Sequence, residues 1–108
     1  MNLNSEHFIT ENGQIIVLFD AEVYNRELFI NYIQECQKSI ERYGGIFVFE
    51  GFSSNSIIGD YRPRTVLYIS KWESIESFNK WWNCPENTRL KNLQKECSDI
   101  KVTSVKSK

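Results

Sequence analysis

Residues Tyr43 to Trp72 read YGGIFVFEGFSSNSIIGDYRPRTVLYISKW, and the punctuation of this stretch decides the fold. Gly44-Gly45 tolerates the left-handed backbone that ends a helix. Ile46 to Phe52 is then an apolar strand, Ser53 to Ser56 a loop by composition, and Thr65 to Trp72 a second apolar strand approached through Pro63. Ile57-Ile58 extends the pairing in this reading until Gly59-Asp60 breaks it.

Upstream, Gln14 to Val23 (QIIVLFDAEV) opens with five consecutive apolar residues and then alternates, the pattern of a central strand covered on both faces along its first half. Asn25 is placed to cap a helix whose apolar positions, Leu28, Phe29, Tyr32, Ile33, Cys36, Ile40 and Tyr43, recur at spacings of three and four. Downstream, Ser74 caps a short helix carrying Ile75, Phe78, Trp81 and Trp82. Asn83 or Cys84 with Pro85 begins another, carrying Leu90, Leu93 and Cys97. Asp99 to Val105 alternates as a last strand. The order strand, helix, strand, strand, helix, strand predicts an α+β, ferredoxin-like βαββαβ fold, an antiparallel sheet with helices on one face. Residues 1–13 read as an N-terminal arm and 14–108 as a single domain.

The chain has 108 residues, 13 Lys plus Arg against 14 Asp plus Glu, and a net charge of −1. That balance supplies no field for nucleic acid or an anionic membrane, and no apolar run reaches the roughly 18 residues of a membrane span. The expectation is a soluble, cytoplasmic protein with no nucleic-acid or membrane partner. Gly45-Ile46-Phe47-Val48-Phe49 has the aromatic character of an RNA-binding strand but lacks the basic residue before its glycine. Three cysteines without C-x-x-C spacing argue against a disulfide framework or a zinc knuckle. With a single histidine, His7 in the arm, no metal and no cofactor is expected.

Three strands carry apolar residues on both faces, whereas a wetted face would alternate with polar ones. Helices cover one face only. A second copy of the chain, sheet against sheet with two-fold symmetry, is the simplest cover for the other. The helix ending in Tyr43-Gly44-Gly45, the run Gly59-Asp60-Tyr61-Arg62-Pro63-Arg64, then Trp72-Glu73-Ser74-Ile75-Glu76, Trp81-Trp82 and Cys84-Pro85-Glu86 together resemble an uncharacterised family, the domain of unknown function thirteen-thirty. The resemblance spans Gln14 to Val105 and implies a dimeric α+β barrel, a superfamily that includes cofactor-free monooxygenases, haem-degrading enzymes and lactone isomerases as well as members without known reaction. The chain departs from the family at Tyr61, where a tryptophan is usual, at Lys71-Trp72, where a glutamate-phenylalanine pair is usual, and at Cys84. Either Arg62 or Arg64 stands in for the family's arginine.

The candidate ligand-binding residues are Tyr43, Tyr61, Arg62, Arg64 and Trp81. Guanidinium forks suit a carboxylate or phosphate, Tyr61 offers a stacking face, and Tyr43 can aim its hydroxyl into a space between helix and sheet. Each has a plainer reading: arginines solvated or paired with Asp60 or Glu50, and Tyr43 as a core residue with its hydroxyl at the edge of water. Of Trp81 and Trp82, one belongs to the core and the other to a pocket wall or a partner contact. Asp20, Glu22 and Glu50 are strand-end carboxylates, and no catalytic base is assigned among them. Three functions remain open: a homodimer binding a small anionic or aromatic molecule between sheet and helices, a cofactor-free monooxygenase or isomerase, and a ligand-free dimerisation module.

Overall fold

The computed structural model describes residues 13–60 and 64–107, so the arm with His7, and Tyr61, Arg62 and Pro63, lie outside the described residues. The elements run β1 (Ile15–Val23), α1 (Arg26–Arg42), β2 (Ile46–Gly51), β3 (Val66–Trp72), α2 (Ile75–Trp82), α3 (Pro85–Cys97) and β4 (Ser98–Lys106). All pairings are antiparallel, in the order β2-β3-β1-β4. The expected βαββαβ order therefore holds, with its second helical unit split in two at Pro85.

The caps form where the sequence places them. Asn25 accepts from the Leu28 amide, Ser74 and Ser77 exchange the two bonds of a capping box, and Cys84, with Pro85 behind it, caps α3. Gly44, at φ +88°, turns the chain out of α1, and the Gly45 amide returns to the Ile40 carbonyl at 2.9 Å. Ile57-Ile58 pairs with no strand. It belongs to the loop between β2 and β3.

The covered face of the sheet carries Ile15, Val17, Phe19 and Ala21 from β1 and Val66, Tyr68 and Trp72 from β3, all buried. Against them α1 lays Phe29, Tyr32, Ile33, Cys36 and Ile40. Ser39 and Ser70, two serines inside this core, have a definite use. The Trp81 indole N–H donates to Ser39 Oγ and the Trp72 N–H to Ser70 Oγ, both at 2.9 Å, so neither large ring buries an unmet donor. Trp81, 1% exposed, is thus a core residue, while Trp82 is half-buried with Lys91 Nζ 4.2 Å above its ring.

The opposite face holds Ile16, Leu18, Leu67 and Ile69, half-buried within one chain. Phe49 joins them because of a register shift: Phe47 pairs with Ser70, but Phe49 pairs with Ile69. One extra residue in β2 reverses the faces beyond it, so Phe49 emerges beside Ile69, 47% exposed, and Glu50 turns to the helix side opposite Tyr68.

A Cβ at Gly45 would lie 2.7 Å from Ile40 Cγ2 and 2.7 Å from the Trp72 ring. Gly45→Ala is expected to cost about 1–3 kcal/mol through overpacking where α1 meets β2, measured as a lower urea midpoint with unchanged slope.

Candidate functional site

The centre of the helix–sheet layer is filled by aromatic rings. Tyr68 stacks on Phe19 with ring centroids 4.5 Å apart and on Phe47 at 5.8 Å. Its hydroxyl meets that of Tyr32 at 2.9 Å, and the Cys36 thiol lies 3.9 Å from Tyr32 Oη. Burial raises both phenols well above their ordinary value and pushes the Cys36 thiol up to about 12. The cluster is neutral and structural, a polar knot satisfied internally.

The open space lies at the end of this layer, where β1 gives way to α1. A cavity of about 430 Å³ is walled by Val23, Phe29, Ile30, Phe52 and Val66, with Tyr24 at its mouth. Phe29 is its floor and touches the rings of Tyr32 and Tyr68 at 5.7 and 6.5 Å. Two polar side chains complete the lining, Arg26 and Thr65. Thr65 is fixed by its backbone N–H, which donates to the Ala21 carbonyl at 2.9 Å, and its hydroxyl accepts from the Val23 amide at 3.4 Å, which leaves the hydroxyl proton to donate. Arg26, at the first position of α1, forms no ion pair among the described residues. The volume falls within the range of small-molecule sites.

Beside this cavity Arg64 is heavily engaged. Its Nη1 meets Asp99 Oδ2 at 2.9 Å, its Nη2 the Asp20 and Asp99 carbonyls at 3.0 and 2.9 Å, and its own amide donates to Asp20 Oδ1 at 2.9 Å. Glu22 stands 3.7 Å away. Glu22 and Asp99 are directly opposed across β1 and β4, a repulsive pairing that the guanidinium offsets. The Asp99 hydrogen bond is the main reason its pKa rises above the ordinary value. Arg64 also borders a smaller cavity of about 140 Å³ with Phe49, Phe52 and Leu67.

Tyr43 stands at the other end of α1, 38% exposed, where a hydrogen bond with Cys84 raises its phenol above the ordinary value. The helix has 17 residues, so Tyr43 and Arg64 are separated by roughly 25 Å along its axis. None of the three cavities found among the described residues is lined by more than one of Tyr43, Arg64 and Trp81. The lining residues Arg26, Ile30 and Phe52 were not singled out by the sequence. Two signals pointed to them: an arginine in the first turn of a helix, against the helix dipole, and Ile30 outside the apolar stripe of α1.

The sequence profile of the domain of unknown function DUF1330 matches residues 14–107. The chain belongs to this family. No curated protein sequence is significantly similar to it. Among solved structures, a protein of unknown function from Rhodopseudomonas palustris is 20% identical, with 91% of this chain and 85% of that one covered and a TM-score of 0.72. SnoaB, a cofactor-independent oxygenase from Streptomyces nogalater, is 11% identical over 89% of this chain and 94% of its own, TM-score 0.69. A dimeric protein of unknown function with a ferredoxin-like fold from Bacteroides fragilis is 7% identical over 91% of this chain and 100% of its own, TM-score 0.58. At these identities the likeness is one of fold, and the DUF1330 chain shares the ferredoxin-like α+β architecture. No helix among its described residues is long and apolar enough to cross a membrane.

Tyr68→Phe leaves the Tyr32 hydroxyl buried without its partner and is expected to cost about 1–3 kcal/mol. The double variant Tyr32→Phe, Tyr68→Phe should cost less than the two single changes summed, as a double-mutant cycle in urea would show. Glu50 supplies a pH test. Burial raises its carboxyl above the ordinary 4.5, so the folded chain holds that proton more tightly than the unfolded chain and charged Glu50 opposes folding at neutral pH. Glu50→Gln is expected to raise the melting temperature at pH 7, and this advantage should shrink as pH falls through the raised value towards 4.5.

Proposed function

We propose that this protein is a cytoplasmic homodimer that binds a small amphipathic anion, an aromatic or branched apolar body bearing a carboxylate, in the cavity where α1 meets the ends of β1 and β3. The 430 Å³ apolar space with Arg26 at its rim carries this reading. The apolar walls take the body of the ligand, the guanidinium forms a charge-assisted bond to its carboxylate, and Thr65 can donate to a second oxygen. Among the sequence-derived candidates, Arg64 is the frame of this site rather than its ligand contact, holding the segment that leads into Thr65. The described walls contain no carboxylate, imidazole or thiol, which favours binding over proton-transfer chemistry. The three free, buried cysteines suit a reducing compartment.

The homodimer rests on the uncovered sheet face. Leu18, Leu67, Ile16 and Ile69 lie along it, with Phe49 and Val105 47% and 54% exposed. At about 1.5–3 kcal/mol per fully buried large side chain, covering the face supplies on the order of 10 kcal/mol before the costs of association. The aromatic filling of the central layer favours one alternative, a dimerisation module without ligand.

A melting-temperature screen followed by calorimetric titration with benzoate, salicylate, phenylacetate and the corresponding primary amides separates these readings. The carboxylates are expected to stabilise the protein and the amides not. Arg26→Gln should weaken carboxylate binding by about tenfold, and Ile30→Trp should block it by filling the cavity. No binding at millimolar ligand would leave the dimerisation module as the better account, and equal binding by Arg26→Gln would overturn the role of Arg26 in the site.

A further inference from the structure

The tip of the β2–β3 loop carries an apolar pair that the fold of one chain does not use. Turns are ordinarily built from Gly, Pro, Asn, Asp and Ser. Here the Ser56 hydroxyl donates to the Gly59 carbonyl and closes a turn whose two central residues are Ile57 and Ile58, 92% and 94% exposed. The root of the loop borders the uncovered sheet face. Phe52, Ser53 and Ser54 share the 140 Å³ cavity with Phe49 and Leu67, both residues of that face. The isoleucine pair follows that root, beginning three residues after Ser54.

That surface is short of area by itself. A stable interface buries about 800 Å² per partner, a little over half of it apolar. Its four main side chains are already half-buried within one chain. Together with the more exposed Ile46, Phe49 and Val105 they offer roughly 300 Å², taking about 3 kcal/mol at 25 cal/mol per Å² as roughly 120 Å² for a whole side chain. On the same scale Ile57 and Ile58 add roughly 220 Å², and the total then reaches the apolar share required.

We infer that the Ser56–Gly59 turn is a dimer latch: Ile57 and Ile58 of each protomer pack against the second copy of the chain and extend the two-fold, sheet-to-sheet interface. The inference rests on the homodimer proposed above, and its test separates the two. Sedimentation equilibrium is run from nanomolar to high micromolar protein on the wild type, on Ile57→Ser with Ile58→Ser, and on Leu67→Asp, with circular dichroism on each. The wild type is expected to be a dimer, Leu67→Asp a monomer, and the double serine variant a folded protein whose dimer is weakened by about 100-fold or more. A monomeric wild type overturns the homodimer and the latch together. A wild-type dimer whose affinity is unchanged by the two serines overturns the latch alone. A benzophenone amino acid at position 57, photolysed in a mixture of isotopically light and heavy protein, provides a second measurement. Adducts joining light to heavy chains support the latch, and adducts confined within one chain overturn it.

Discussion

The ring of Tyr68 lies where four elements meet. It stacks on Phe19 of β1 and on Phe47 of β2, and its hydroxyl is tied to Tyr32 of α1 at 2.9 Å. A large flat side chain at a central strand position brings much apolar area, but it buries an oxygen that needs a partner, and the paired hydroxyl of Tyr32 meets that need. The helix is thereby set over the sheet in one lateral position. The space that could have formed a ligand chamber in the middle of the layer is occupied, and the room that remains lies beyond Phe29, where α1 begins.

A second constraint comes from counting faces. One layer of helices can cover one side of a four-stranded sheet, yet β1 and β3 carry large apolar side chains on both. The extra residue in β2 adds Phe49 to the side the helices do not reach and sends Glu50 inward to the edge of Tyr68, exchanging the places that plain alternation would assign them. At the corner of the same face, Asp20, Glu22 and Asp99 crowd together and Arg64 holds them. The polar corner and the apolar field of this face have different causes. The first is an internal balance of charge, and the second is surface that a single chain leaves open.

Similarity to known proteins adds to this without replacing it. Membership of DUF1330 fixes the family over nearly the whole chain, and the solved relatives agree on architecture while ranging from proteins of unknown function to an oxygenase. One scaffold that hosts such different roles leaves function to particular side chains. In the proposed function those are Arg26 and Thr65, which line a cleft of apolar residues.

The order of elements, their caps and the double-sided apolar character of the sheet were legible in the sequence because they rest on local rules: helical and strand periodicity, Asn25, Ser74 and Pro85 at helix starts, and a left-handed glycine at a helix end. The site was much less legible. Tyr43, Arg64 and Trp81 looked like neighbours by chemistry, but whether residues meet depends on which end of α1 each one reaches, and that is set by packing across the sheet. Arg64 was a free guanidinium until strand pairing brought it against Asp20 of β1 and Asp99 of β4, distant in sequence and adjacent only through strand register. The side taken by Phe49 depended on one extra residue, since a shift of a single position reverses every side chain beyond it. Short-range rules thus determined what the elements are. Long-range pairing alone decided which side chains share a cavity, because that is settled by contacts no sequence window contains.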